Sequence, residues 1–316
     1  MVDGAKAACD KGRIHLNTDF IRARRDSSKR TVEKMKEYVK SVLPPPLLDL
    51  ARKYISHSQL FMTPVRNFIP DNLKPLSDTD IECVFSNPAF SPSWEIDHKS
   101  IKSVYGDEDN LGGVNPGDRR ALYYLIMAFV PGHVLEIGTH IGASTLHMAC
   151  ALKQLGNKHS KITTVDIADV NHPETAAWTD IGLAASPSKF AKRLGCLDYI
   201  DFRTMPSLDW MRTVKHRYDF IFLDGDHSAT AVYQEVSAAL RLLNPGGVIL
   251  LHDYYPEGKV LFPDRNIVVG PYTALERIKK ETRSLTVLPL GDLPWPTKQG
   301  THSTSLALVT RSRRQG

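Results

Sequence analysis

Acidic and imidazole side chains follow four of the apolar runs in this chain, each at the point where the run ends. Residues 136–144 close the first run, Asp166 ends the second, and residues 224–227 and 252–255 close the fourth and fifth. Ligands of open α/β sheets bind beyond the carboxyl ends of the strands. Packing explains any one of these groups, but their concentration at one predicted sheet edge favours a binding or catalytic site.

The elements that must position these groups follow from the hydrophobic periodicity. Apolar runs typical of strands alternate with helical segments from residue 118 onward. This alternation predicts an α/β protein with a Rossmann-like, mostly parallel sheet and helices on both faces. The last two strands have no helix between them, which predicts an antiparallel hairpin at one sheet edge. The predicted strands are 133–138, 161–167, 199–203, 218–224, 246–253, 285–290 and 303–311, and the predicted helices are 118–129, 143–155, 186–195, 207–214, 228–243 and 272–282.

Residues 1 to 115 show a different pattern. Apolar residues at helical spacing predict a helix over 31–43, which stops at Pro44, and a second helix over 47–60. The proline-rich stretch 61–100 predicts loops and short helices. We therefore expect an N-terminal, mainly helical extension over 1–115, which caps a pocket or mediates a homodimer, and an α/β domain over 116–316.

The composition is that of an ordinary globular protein. Of the 316 residues, 42% are hydrophobic and 24% are charged, which excludes a mainly disordered or fibrous chain. The 40 Lys and Arg residues exceed the 35 Asp and Glu residues by five, and part of this excess lies near the two termini. Because no stripe of basic residues with interleaved aromatics is present, a nucleic-acid partner is not expected.

The sequence predicts a cytoplasmic protein without a membrane partner. No run reaches the roughly 18 apolar residues that a membrane span requires, and the N-terminus has no apolar signal-peptide core. Cys9, Cys83, Cys150 and Cys196 are scattered without a CxxC pair. This spacing favours neither a zinc site nor a disulfide framework, so we expect reduced thiols, with Cys150 packed on a helix.

The loop after the first predicted strand differs from a dinucleotide fingerprint. Its glycines are Gly138 and Gly142, and His140 stands where the G-x-G-x-x-G pattern needs its second glycine. A diphosphate is therefore disfavoured, which argues against a nicotinamide-dependent dehydrogenase, whereas a nucleoside without phosphates is tolerated. Asp166 suits a ribose, because a carboxylate accepts hydrogen bonds from both hydroxyls. A helix cap or a turn is the alternative role for Asp166.

Five segments of the chain, in this order, resemble a known family: LEIGTHIGAST, TTVDI, YIDFRTMPSLDWM, FIFLDGDHS and LLNPGGVILLHDYY. Together they are similar to class I S-adenosylmethionine-dependent methyltransferases. The resemblance is greatest to the catechol and caffeoyl-CoA O-methyltransferase-like enzymes and to the macrocin-type sugar O-methyltransferases, and it covers residues 112–310. It implies the sheet order 3-2-1-4-5-7-6, an antiparallel seventh strand, and S-adenosyl-L-methionine as cofactor.

The resemblance assigns cofactor contacts to residues near the strand ends. It places Gly138 and Gly142 in the loop beside the methionine moiety, and Ser144, at the start of the next helix, on the methionine carboxylate. It places Asp166 on the ribose and residues 205–207 beside the adenine. The full set of predicted cofactor-binding residues is Val114, Glu136, Gly138, Thr139, His140, Gly142, Ser144, Asp166, Ile167, Pro206, Ser207 and Asp224.

A hydroxyl acceptor must lose its proton during methyl transfer, which requires a general base or a metal that lowers its pKa. The resemblance assigns the base to His227, with Asp226 as the next catalytic candidate. It assigns a Mg²⁺ ion to Asp224 and Asp253. Tyr254 stands where the catechol-type enzymes carry an asparagine ligand, so both the third ligand and the metal requirement are left open.

Two further residues carry expectations about the site. By strand alternation, His252 lies on the opposite side of the strand from Asp253, which argues against a role for it as a ligand. Trp295 lies in a proline-rich loop near the predicted site and is expected to line the acceptor pocket.

These observations predict an S-adenosylmethionine-dependent O-methyltransferase that acts on a small hydroxylated molecule, a secondary metabolite or a sugar-like acceptor. The main alternative is a methyltransferase of the same fold that acts on RNA or another polymer, or on a nitrogen or carboxylate acceptor. A non-catalytic binding module of this fold is disfavoured, because the acidic residues at the strand ends are intact.

Overall fold

The computed structural model describes residues 45–106, 113–175 and 177–311. The chain divides into two compact units, residues 1–54 and 55–316, and the helix predicted over 31–43 lies outside the described residues. The second predicted helix is present as α1 (Pro45–Phe61). No helix within the described ranges combines the length and the apolar character that a bilayer span requires.

Every strand and helix predicted after residue 117 is present, with ends that differ by a few residues. The strands are β1 (His133–Ile137), β2 (Lys161–Asp166), β3 (Ile200–Thr204), β4 (Tyr218–Leu223), β5 (Leu243–Leu251), β6 (Leu285–Pro289) and β7 (Ala307–Arg311). The helices after α1 are α2 (Asp78–Phe85), α3 (Ser91–Tyr105), α4 (Pro116–Phe129), α5 (Ala143–Leu155), α6 (Ala177–Asp180), α7 (Pro187–Leu194), α8 (Ser207–Thr213), α9 (Ala229–Leu242) and α10 (Gly270–Glu281).

The seven strands form one sheet in the order β3-β2-β1-β4-β5-β7-β6, which confirms the predicted Rossmann-like α/β fold. Strands β1 to β5 are parallel, whereas β7 is antiparallel to both β5 and β6. The last two strands therefore form the predicted hairpin at one edge. Because β1 lies between β2 and β4, the winding of the chain reverses there, and a crevice opens beyond the carboxyl ends of these strands.

Side chains of β4 alternate between the two faces of the sheet. Phe220 and Phe222 belong to the apolar cluster that α4 and α5 complete, whereas Ile221 and Leu223 belong to the cluster that α9 and α10 complete. All four side chains are buried. A strand whose successive side chains are all apolar requires cover on both faces. Polar groups of the central strands are therefore found mainly at the strand ends.

Residues 61–106 pack within the same compact unit as the sheet. As predicted for 61–100, they form short helices and loops, and their only pairing with the sheet is an isolated bridge between Leu73 and Gly247. Ile81 and Trp94 are buried in the apolar cluster that includes α4 and α5. The boundary at residue 115 and the capping or dimer role of residues 1–115 stay predictions.

The three cysteines within the described residues are free thiols. Cys150 is buried on α5, as predicted, and Cys196 is buried beside α7. Cys83 is exposed, and Cys9 lies outside the described residues.

Candidate active site

A cavity of about 1490 Å³ opens at the carboxyl ends of β1, β2, β4 and β5. Most of the predicted site residues line it, whereas five others are buried outside its lining. The lining residues among them are Gly138, His140, Asp166, Ile167, Pro206, Ser207, Asp224, Asp226, His227 and Asp253. Those buried outside the lining are Val114, Glu136, Thr139, Gly142 and Ser144.

The loop after β1 depends on Gly138. Its φ is +92°, and a Cβ atom would lie 2.2 Å from the backbone oxygen of Asp224. Only glycine fits this conformation and this contact. The backbone N–H of Gly138 also donates to the carbonyl of Val165 at 2.9 Å. The β1 loop is thereby held against β2 and β4 at the point where the sheet changes its winding.

Asp166 ends β2 and lines the cavity. Its Oδ2 accepts a hydrogen bond from the backbone of His140 at 2.9 Å, and its Oδ1 accepts one from the backbone of Ala168 at 3.0 Å. These bonds fix the carboxylate, and each oxygen retains capacity for a further donor. The turn role and the ribose role considered for Asp166 are therefore compatible.

Glu136 is fully buried beside the β1 loop. The hydroxyls of Ser144 and Thr164 each donate to its carboxylate at 2.6 Å, and that of Thr145 donates at 2.5 Å. Burial raises the pKa of Glu136 to about 7, and the three hydroxyl bonds limit the rise. The Ser144 hydroxyl is thus bonded to Glu136. In this structure the pair braces the loop from the protein interior, and the cofactor contacts expected of the two residues stay predictions.

His252 lies on the same side as Asp253, so the prediction from strand alternation is wrong. Strand β5 ends at Leu251, and Asp253 has a left-handed φ of +56°. Alternation does not extend past the end of the strand. His252 Nδ1 lies 3.0 Å from Asp224 Oδ1 and 3.5 Å from Asp253 Oδ1. A positive φ outside glycine costs about 1–3 kcal/mol and is concentrated at functional sites.

The second nitrogen of His252, Nε2, lies 3.2 Å from Asp118 Oδ2. Asp118 is fully buried in the first turn of α4. The Asn115 amide and the Thr304 hydroxyl also donate to its carboxylate, at 2.6 Å and 2.5 Å. Asp118 therefore anchors the imidazole of His252 from the protein interior.

Neighbouring carboxylates favour the protonated form of the His252 imidazole. Burial opposes this charge, but three neighbouring carboxylates raise the pKa of His252 well above its usual value. They belong to Asp224, Asp253 and Asp118. The pair of Asp118 and His252 was not predicted, because the segment around Asp118 has the ordinary sequence pattern of a turn and a helix cap.

His227 presents the second imidazole of the site. Its Nε2 lies 3.4 Å from Asp253 Oδ2 and 4.0 Å from Asp224 Oδ1, and its side chain is 35% exposed. Asp226 also lines the cavity, but its Oδ1 accepts a hydrogen bond from the backbone of Ser228 at 2.8 Å, in the turn before α9. His227 is therefore better placed than Asp226 to take a proton from a ligand.

Asp224 and Asp253, the residues predicted to hold Mg²⁺, each direct one carboxylate oxygen towards the imidazole of His252. The Mg²⁺ ion itself stays a prediction. Tyr254, at the position of the expected third ligand, is buried near Tyr272. The described part of the chain contains no group of three His, Cys, Asp or Glu side chains placed to hold a metal ion.

A further group of lining residues follows β3. The segment 205–208 leads into α8, and Ala231 and Glu235 come from α9. The Ser207 hydroxyl donates to Glu235 Oε1 at 2.5 Å. Burial, with a smaller contribution from Asp226, raises the pKa of Glu235 to about 7. Glu235 was not predicted as a site residue, because a glutamate on a helix is usually solvent-exposed.

Two loops complete the cavity beside Asp253. Tyr255 and Phe262 line it from the loop after β5, and residues 296–300 line it from the loop before β7. Lys298 and Asp264 form an ion pair at 2.6 Å that joins the two loops. This wall combines aromatic rings with polar groups.

Trp295 does not line the cavity, so the predicted pocket role is wrong. It is buried, and its indole N–H donates to the carbonyl of Gly117 at 2.9 Å. Its ring packs against Tyr124 and Phe85, with centroids 4.9 Å and 5.5 Å away. Trp295 is close in sequence to residues of the cavity wall, but its contact with α4 determines the direction of its side chain.

The sheet order, the glycine loop after β1 and the acidic residues after β2 and β4 are those that the resemblance to class I methyltransferases implies. Residues 135–254 match the family model described as a methyltransferase domain. The matched segment runs from β1 to the residues after β5. The resemblance drawn from the five sequence segments is confirmed over this matched segment, which is similar to methyltransferase domains.

The chain is also similar to curated proteins and to solved structures. A catechol O-methyltransferase of Niastella koreensis is 29% identical over 152 residues, which cover 47% of this chain and 61% of that protein. A rhamnosyl O-methyltransferase of Mycobacterium tuberculosis is 25% identical over 155 residues, which cover 48% of this chain and 56% of that protein. The aligned part of this chain thus spans less than two thirds of either relative. A Bacillus cereus O-methyltransferase, solved in complex with SAH (S-adenosylhomocysteine), is 22% identical, with 74% and 96% coverage and a TM-score of 0.48.

Proposed function

We propose that this chain is an S-adenosylmethionine-dependent O-methyltransferase that methylates a hydroxyl group of a small molecule. The observation that carries the proposal is a single cavity lined by a nucleoside-type site, Gly138 and Asp166, and by a proton-accepting pair, His227 and Asp253. The methyltransferase domain over 135–254 and the names of the curated relatives support this choice of reaction.

The residues around the β1 and β2 ends fit the cofactor. Gly138 leaves the backbone of the β1 loop uncovered by a side chain. Asp166 offers a fixed carboxylate to two ribose hydroxyls. His140 replaces the glycine that a pyrophosphate would need, which favours a nucleoside without phosphates. When bound, S-adenosylmethionine supplies a methyl group on a sulfonium, and the acceptor oxygen displaces it in line.

The protein supplies the proton acceptor for this displacement. His227 Nε2 takes the proton of the acceptor hydroxyl as the oxygen bonds to the methyl carbon. Asp253 Oδ2, 3.4 Å away, favours the imidazolium that forms. Asp224 and Asp253 are themselves held by His252, so the carboxylates keep their positions while the proton moves. The geometry supports this step with protein side chains alone.

The wall beside His227 suggests the acceptor class. Tyr255 and Phe262 present aromatic rings, while residues 296–300 present polar groups. Such a wall suits a ring-shaped molecule with several hydroxyls, because aromatic faces pack against the ring and polar groups bind its edge. A phenolic secondary metabolite and a sugar-like acceptor both meet this description.

Calorimetry with SAH tests the cofactor site. We expect Asp166→Ala to bind about tenfold or more weakly than the wild type, because hydrogen bonds to a charged carboxylate are lost. Asp209→Ala is the matched control, since Asp209 is an exposed carboxylate on α8 outside the cavity lining. Equal affinity of all three proteins would remove Asp166 from the site.

A transfer assay tests the reaction itself. Wild-type protein is incubated with methyl-labelled S-adenosylmethionine and a panel of catechols, glycosides, amines, carboxylic acids and RNA. The expected result is label on an oxygen of a hydroxylated small molecule. Label on a nitrogen, a carboxylate or RNA would contradict the proposed acceptor, and a wild-type protein that binds no SAH would contradict the proposed function as a whole.

A further inference from the structure

Glu235 is a buried acidic group of the cavity that the proposed proton transfer does not use. Only 3% of the residue is exposed, and it lines the cavity together with the segment 205–208 and Ala231. No cation pairs with Glu235 among the described residues, and Asp226 adds a repulsive charge. An apolar side chain would fill this helix position at lower energetic cost, because burial of a carboxyl group is unfavourable unless it is hydrogen-bonded.

Among the described residues, only one of its two oxygens has a hydrogen-bond partner. Oε1 accepts the hydrogen bond from the Ser207 hydroxyl at 2.5 Å. Oε2 has no hydrogen-bond partner among the described residues. It is nevertheless not one of their fully buried polar atoms without a partner, so part of its surface is accessible. It therefore retains access to the cavity that Glu235 lines. Because this acceptor is accessible from the cavity, it can bind a ligand that carries a hydrogen-bond donor.

The surroundings of Glu235 suit a flat, mostly apolar ring. Met205, Pro206 and Leu208 contribute apolar atoms to this part of the cavity. The segment is tied to the nucleoside site, because the backbone N–H of Met205 donates to the carbonyl of Asp166 at 2.9 Å. A base whose ribose is bound by Asp166 therefore meets this segment.

We propose that Glu235 recognises the adenine of the cofactor by accepting a hydrogen bond from its exocyclic amine. This inference rests on the proposed function, since it requires the adenosine moiety to lie on Asp166. The exocyclic amine is the only hydrogen-bond donor of the adenine ring system in a nucleoside, so an acceptor is the group that can select it. Ser207 then acts as the positioning residue that holds Oε1 and directs Oε2 at the base.

The test compares SAH with its 6-deamino analogue, in which purine replaces adenine. Calorimetry on the wild-type protein is expected to show about tenfold weaker binding of the analogue, because Oε2 then lacks its donor. Glu235→Leu is expected to bind the two ligands equally. Glu235→Gln keeps a side-chain carbonyl and is expected to retain a preference for SAH.

Glu276→Gln is the matched control, because Glu276 is a partly exposed carboxyl group on α10 outside the cavity lining. It is expected to show the wild-type preference. Equal binding of both ligands by the wild type would overturn the inference without any variant, and so would an unchanged preference in folded Glu235→Leu. Failure of the wild type to bind SAH would instead overturn the proposed function on which the inference rests.

Discussion

His252 Nδ1 lies 3.0 Å from Asp224 Oδ1, so an imidazole whose protonated form the nearby carboxylates favour faces the carboxylate that was expected to bind a metal. The opposite nitrogen of the ring is held by Asp118, a fully buried carboxylate of α4. A pair of this kind is stable in a protein interior when hydrogen bonds satisfy both partners. The positive charge beside Asp224 is thus supplied by the chain itself.

This relationship leads to a prediction about metal removal. We expect methyl transfer to keep its rate after treatment with EDTA and dialysis, because His252 compensates the charge of Asp224 and Asp253. Initial rates before and after treatment, with EDTA presaturated with Mg²⁺ as control, provide the measurement. Activity that disappears with EDTA and returns with Mg²⁺ would contradict the side-chain arrangement described here.

Substitution of the predicted base should separate turnover from binding. His227→Ala is expected to lower kcat by about 10²–10⁴-fold, the usual contribution of a general base, while the affinity for SAH stays within about twofold. The control is His159→Ala, which changes an exposed histidine outside the cavity lining. If His227→Ala turns over at the wild-type rate, the base lies elsewhere, and Asp226→Asn becomes the next variant to measure.

Two glycine variants separate the effect of close packing from that of backbone conformation. Gly138→Ala places a Cβ atom 2.2 Å from the backbone of Asp224, whereas Gly156→Ala, with a similarly positive φ of +76°, meets no atom within 4 Å. We expect Gly156→Ala to lower the free energy of unfolding by about 1–2 kcal/mol and Gly138→Ala to lower it further. Urea denaturation measures both, and equal losses would show that the β1 loop is free to move away from β4.

The buried carboxyl group of Glu136 predicts a pH dependence of stability. Its pKa is raised from 4.5 to about 7 in the folded protein. Between these values the unfolded chain releases a proton that the folded chain retains, so stability decreases as the pH rises through this window. The difference between the two pKa values corresponds to a loss of about 3 kcal/mol in the free energy of unfolding above pH 7.

Glu136→Gln isolates this contribution. The free energy of unfolding of the wild type, minus that of the variant, is expected to decrease between about pH 5 and about pH 8. Urea unfolding at a series of pH values provides the measurement, and Glu276→Gln serves as the control. Glu235 contributes a similar slope to both proteins, because its pKa is also raised to about 7, so the difference reports on Glu136. A flat difference would contradict the assignment.

Local patterns in the sequence predicted the strands and helices after residue 117, whereas the sheet order came from the family resemblance. The apolar run over 218–224 predicted a strand covered on both faces, and β4 (Tyr218–Leu223) is buried on both. The glycines and acids that end such runs, Gly138 and Asp166 among them, were predicted to share one edge because parallel strands end together. Both line the cavity.

Other features depended on tertiary contacts between distant parts of the chain. Asp118 and His252 are 134 positions apart, and no periodicity in either segment connects them. Asp253 has a left-handed φ and lies beyond the end of β5, where strand alternation has ceased to apply, so its carboxylate comes near the imidazole of His252. Glu235 faces the cavity because α9 packs beside α8, and the helical pattern alone does not say which ligand that face meets. The sequence by itself determined which elements form and which polar groups end them, because those depend on neighbours a few residues away. Only the tertiary structure decided which charges are paired, because the energy of a charge pair depends on the burial of the two side chains and on the distance between them.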